Sequence, residues 1–188
     1  GLNAQLASVA ADIPSLPSDF TLSFDDGKWD TDLVINVSAG LTVIDISTND
    51  NDLLLEESNL LFNGPVGAFV VIRVPDEANF LVTQSNIIVG DDGIGLNNVL
   101  FFSDKDDNNQ HFNFNDTILN GVAFWDLSAE GEIHLSNAMG CTQLVGSKID
   151  MNDVQLNGCA TAVPEPNTAL LIGLGLVGLT ATRSLLSA

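Results

Sequence analysis

The chain contains no tyrosine, and only 5 of its 188 residues are lysine or arginine. Against these stand 25 acidic residues, for a net charge of −20. So few cations cannot form the clustered patch that nucleic-acid phosphates require, so no nucleic-acid partner is expected. The same shortage argues against docking on anionic lipid headgroups. There are two histidines, His111 and His134, and two cysteines, Cys141 and Cys159. They show no zinc-type spacing with one another. An even cysteine count, if the chain is non-cytosolic, favours a disulfide between Cys141 and Cys159. The closed loop of roughly 19 residues would be worth about 3 kcal/mol.

Catalytic signatures are also missing. No nucleophile elbow, phosphate-cradling loop, dinucleotide fingerprint or zinc-protease helix occurs. Gly90-Asp-Asp-Gly-Ile-Gly95 is rich in glycine, but no helix follows it to hold an anion, so it reads as a turn. Adjacent acids such as Asp25/Asp26 and Asp91/Asp92 lie on acidic loops, where solvation explains them. The chain is therefore expected not to be an enzyme.

What is present is a long β signal. From Phe20 to about Gly158, short runs of Val, Ile, Leu and Phe alternate with polar residues. Leu41-Thr-Val-Ile-Asp-Ile46 is one example. Asn, Asp, Gly and Ser separate the runs, and these residues tolerate turn conformations at little cost. No stretch before residue 164 keeps a helical apolar period for three turns. The body is therefore all-β. Its short strands and frequent Asn/Gly corners favour a solenoid, specifically a right-handed β-helix. A β-sandwich is the alternative. Residues 1–32 read as an N-terminal segment or cap, 33–162 as the β-rich domain, and 163–188 as a tail.

Several side chains invite a binding role. Asp104, Asp106, Asp107 and Asn108 cluster on one loop and suit calcium, which takes oxygen ligands. Calcium is the one cofactor these residues would hold. Asp50 and Asp52 flank Asn51 in a smaller cluster. Trp29 and Trp125 are candidates for sugar stacking, although the neighbours of Trp125 in a strand favour core packing. His134 alternates with Ile133 and Leu135 and is expected to face solvent.

The tail is chemically distinct. Pro164 and Pro166 bracket Glu165 and break the preceding strand. An uncharged run from Asn167 to Thr182 follows, then Arg183. That run is about 16 residues, or about 24 Å as a helix, slightly short of a usual span. A C-terminal apolar helix is expected there, able to enter a membrane.

The order Pro164-Glu165-Pro166, apolar run, Arg183 closely resembles the PEP-CTERM sorting signal of Gram-negative bacteria. That resemblance implies export behind a removed signal peptide, transient inner-membrane anchoring, and processing by an exosortase. It also implies delivery to the cell surface or a biofilm matrix, where exopolysaccharide or a matrix protein would be the partner. The stretch from Phe112-Asn-Phe114 to Lys148–Leu156 resembles the choice-of-anchor A domain, which implies a β-helix with an adhesin-like role. The function expected first is a surface adhesion or structural module. An ice- or carbohydrate-binding β-solenoid is an alternative, although no regular Thr-x-Thr array is present. A polysaccharide-processing enzyme is another.

Overall fold

The computed structural model describes residues 11–24, 28–48, 52–75, 78–89, 93–103, 111–125 and 132–157. Fourteen strands form one continuous sheet. In chain order they are β1 (Phe20–Ser23), β2 (Lys28–Trp29), β3 (Leu33–Asn36), β4 (Gly40–Ser47), β5 (Leu53–Glu56), β6 (Asn59–Asn63) and β7 (Ala68–Arg73). Then come β8 (Phe80–Thr83), β9 (Asn86–Val89), β10 (Val99–Ser103), β11 (His111–Trp125), β12 (Glu132–Gly146), β13 (Lys148–Asn152) and β14 (Gln155–Asn157).

Every ladder is parallel. A sandwich is built from antiparallel hairpins, so this pattern decides for the solenoid. The chain winds in coils with three faces. The first face stacks β2, β5, β8, the start of β11, the start of β12, and β13. The second stacks β3, β6, β9, the middles of β11 and β12, and β14. The third stacks β1, β4, β7, β10 and the ends of β11 and β12. The sheet thus begins before residue 33, with β1 and β2.

Side chains alternate strictly between the interior and the outer surface, as β6 and β9 show. The interior is apolar and aromatic. Phe80, Phe101, Phe112, Phe114 and Trp125 are almost wholly buried and stack coil on coil. Ring centroids lie 4.3 Å apart for Phe112–Phe114 and 4.8 Å for Phe112–Trp125. Truncating such a ring to alanine costs about 3–5 kcal/mol. Trp125 is therefore a core residue. Trp29 is half-buried edge-on to Phe24, at 4.7 Å.

Corners explain how the chain closes each coil. Between the first and second faces, Glu57, Gln84, Asp116, Asn137 and Asp153 repeat one left-handed conformation, with φ between 48° and 53°. The next residue points inward at each of four of these corners: Ser58, Ser85, Thr117 and Ala138 are buried. Ser85 Oγ accepts from the Ser58 amide and donates to the Thr83 carbonyl. Coil length changes along the stack. Equivalent side chains lie 27 residues apart at Asn36 and Asn63, 32 apart at Asn79 and His111, and 21 apart at Asn120 and Cys141. The short coils turn inside a single strand, through Gly121 (φ 121°) and Gly140 (φ 136°).

The described residues ahead of β1 lie along the side of the stack. A 3-10 turn at Ile13–Ser15 packs on the outside of the third face. Ile13 and Leu16 cover Val43, Val71, Phe102 and Phe124. Arg73 fixes this cover. It donates to the carbonyls of Ile13, Pro14 and Leu16 and forms a bidentate pair with Asp45, at 2.6 and 2.9 Å. That hydrogen bond holds the Asp45 carboxyl below its ordinary range, against the opposing effect of burial.

Among the described residues no helix is long and apolar enough to cross a membrane. The expected apolar helix, with Pro164, Glu165, Pro166 and Arg183, lies outside the described residues.

Candidate functional site

The second face carries the most ordered outer surface. Three consecutive coils place Val34, Leu61 and Ile88 in register, all pointing outward. Val34 is 49% exposed, so this apolar strip meets solvent. Asparagines border it on both sides. On one side Asp32 Oδ1 accepts from both the backbone and side-chain amides of Asn59, at 2.8 and 2.9 Å. Asn59 Oδ1 in turn accepts from Asn86 Nδ2 at 2.8 Å, and Asn86 Oδ1 accepts from the Ile118 amide at 3.1 Å. On the other side Asn63 donates to Asn36.

These bonds hold each amide in one orientation, one per coil, at the rung spacing of about 4.8 Å. Above the Asn59–Asn86 column stand Ile118 and Met139, 37% and 52% exposed. The outward positions of β3, β6, β9 and β14 hold no charged side chain. The result is a flat, uncharged strip with immobilised amides on a regular spacing. Such a strip cannot enclose a small molecule, but it can lie against an extended ordered one.

The other surfaces differ. The outward side of the first face is polar near its upper end, with His111, Asn113, Glu132, His134, Lys148 and Asp150. Among the described residues, the third face carries an apolar groove of about 390 Å³ beside its N-terminal cover, lined by Leu41, Phe69, Leu100 and Val122. Inside the stack, a cavity of about 20 Å³ near Phe24, Trp29 and Phe80 is lined only by apolar side chains. A space of that kind offers a water no polar partner.

The residues expected from sequence fall in several places. Cys141 is disulfide-bonded. Cys159, the other cysteine of the sequence, lies outside the described residues. Asp104, Asp106, Asp107 and Asn108 also lie outside them. Asp52 accepts hydrogen bonds from the Asn79 amide and side chain, at 3.0 and 2.9 Å, and so fastens one coil to the next. His134 faces outward, as its alternation requires, and lies 3.4 Å from Asp150. The asparagine ladders were not among the residues singled out from sequence. Their signal is the recurrence of Asp or Asn at 27-residue intervals, at 32, 59 and 86.

The PEP-CTERM protein-sorting motif matches residues 162–184. That motif indicates an exported cell-surface protein sorted by an exosortase. None of the curated proteins matches it. Among solved structures it is similar to an ice-binding protein from an Antarctic bacterium, Flavobacteriaceae, with a TM-score of 0.55 and 13% identity. The match covers 85% of this chain and 34% of that one, so the chain spans about a third of that protein's length. At that identity the likeness concerns the fold.

Proposed function

We propose that this chain is a non-enzymatic binding module, displayed at the cell surface, whose second face docks on an extended uncharged ligand, and that this ligand is ice. The observation that carries the reading is the Val34–Leu61–Ile88 strip between fixed asparagine amides. Apolar side chains cannot hold water by hydrogen bonds, while the flanking amides can. A face that combines both at one regular spacing arranges its hydration layer on a lattice, which suits a crystal of water better than a soluble solute. The structural neighbour named for ice binding supports the choice of ligand. In this reading adhesion to ice is the surface role, and exosortase sorting delivers the module to where ice is met.

Ice-recrystallisation assays on the purified chain test it. The intact chain should keep ice grains small. Ile88→Lys, which puts a charge in the strip, should abolish the effect while leaving the circular dichroism unchanged. Thr83→Lys, on the first face, should leave it intact. An intact chain that does not restrain grain growth would refute the ice reading. If it instead binds insoluble polysaccharide in a manner lost in Ile88→Lys, the ligand is a glycan.

A further inference from the structure

Both histidines of the sequence sit on the outer side of the first face, on adjacent coils. The register sets Glu132 between His111 and Lys148, and His134 between Asn113 and Asp150. His134 Nδ1 lies 3.4 Å from Asp150 Oδ2. Glu132 reaches both ways: Oε1 is 2.7 Å from Lys148 Nζ, and Oε2 is 3.9 Å from His111 Nδ1. One ligand atom each from Glu132, His134 and Asp150 falls within 4.8 Å of the others.

We infer that Glu132, His134 and Asp150 form a site for a divalent transition-metal ion of the zinc class. Two ligands on one tetrahedral zinc, each about 2.05 Å from the ion, stand about 3.3 Å apart. The His134–Asp150 pair is already at that separation. Glu132, whose ligand oxygen lies within 4.8 Å of the other two, closes the rest by a side-chain rotation. The imidazole selects the metal: nitrogen with carboxylate oxygen suits zinc, copper or nickel, whereas calcium and magnesium prefer oxygen alone. Water completes the coordination on the solvent side.

Two further side chains shape the site. His111 flanks the Glu132 carboxylate, with Nδ1 3.9 Å from Oε2. Lys148 holds the other oxygen of Glu132 as an internal cation, and the metal must displace it. That displacement is easy, because the Lys148 side chain is 65% exposed. The bound ion would join β12 to β13, tying the last described strand of the first face to the coil below. Metal binding would therefore stabilise that end of the stack by mass action.

Isothermal titration of the full chain with zinc chloride, after chelator treatment, tests the site. One ion per chain should bind, and an excess of calcium should not displace it. His134→Gln and Asp150→Asn should each weaken binding by about tenfold or more. Lys148→Gln should tighten it, because the internal competitor is gone. All three positions are on the surface, so circular dichroism should confirm an unchanged fold. Absence of zinc binding, equal displacement by calcium, or unchanged affinity in His134→Gln would each overturn the site. The last result would mean diffuse binding to an acidic surface. None of these outcomes bears on Ile88 or ice.

Discussion

The first and second faces share coils, interior packing and rung spacing, yet they offer water opposite surfaces. Above β8 the first face presents imidazole, carboxylate and ammonium groups, whereas the second presents aliphatic side chains and fixed amides. Both faces bury the same kind of residue inward: Phe112 and Ile133 on one, Ile87 and Leu119 on the other. The difference therefore comes from the outward half of each alternation alone. In a parallel stack each outward position repeats at every coil, so a column rather than a single residue defines a surface. Single charges scattered through the sequence become a cluster on one face, and single asparagines become a ladder on the other.

The comparison can be broken most strongly at Gly140, where the second face stacks most tightly. Its φ is 136°, and a Cβ there would sit 2.2 Å from the Leu119 carbonyl oxygen. Gly140→Val should cost about 4 kcal/mol, adding backbone strain to the overlap. Urea unfolding measures it, and a loss below about 1 kcal/mol would show that the coils can slide apart locally.

The third face serves as a control between the two. The Asp45 carboxyl is lowered chiefly by its hydrogen bond to Arg73, opposed by burial and helped by Ser18. A lowered folded-state value means the pair stabilises the fold fully above about pH 4 and loses that contribution as pH falls through the lowered value. The pair is partly exposed, so its worth is about 1 kcal/mol. Asp45→Asn should therefore be less stable at pH 7 and close to the parent near pH 2, as followed by thermal melts. A stability gap that stays constant with pH would refute the assignment. Neither ice nor zinc binding should change.

The smallest effect is expected at Thr117, in the corner joining the first and second faces. Its Oγ1 is buried and has no hydrogen-bond partner among the described residues. Thr117→Val removes an unsatisfied polar group at nearly constant shape and should be neutral or slightly stabilising, by up to about 1 kcal/mol. A marked loss in the thermal melt would show that the hydroxyl holds a water.

Much of this was legible in the sequence because alternation and turn residues are local signals. Leu41–Ile46 reads as a strand for that reason, and β4 contains it. By contrast, β6 is invisible to a period of two. Outward Leu61 follows inward Leu60, and the apolar strip of the second face erases the polar half of the pattern. The pairing of His134 with Asp150 is hidden for another reason. It depends on register between coils, and coil length varies from 32 residues at Asn79 and His111 to 16 at His134 and Asp150. No fixed repeat can be counted off to align the columns.

The absence of tyrosine has a practical consequence. Tryptophan emission from this protein carries no tyrosine background and comes from Trp29 and Trp125, which stand in different coils. One is half-buried beside Phe24 in the first coil, and the other is sealed against Phe112 farther up the stack. Each is an optical reporter of its own end. Replacing either by phenylalanine leaves a single emitter, and the two variants together would reveal from which end the solenoid unwinds.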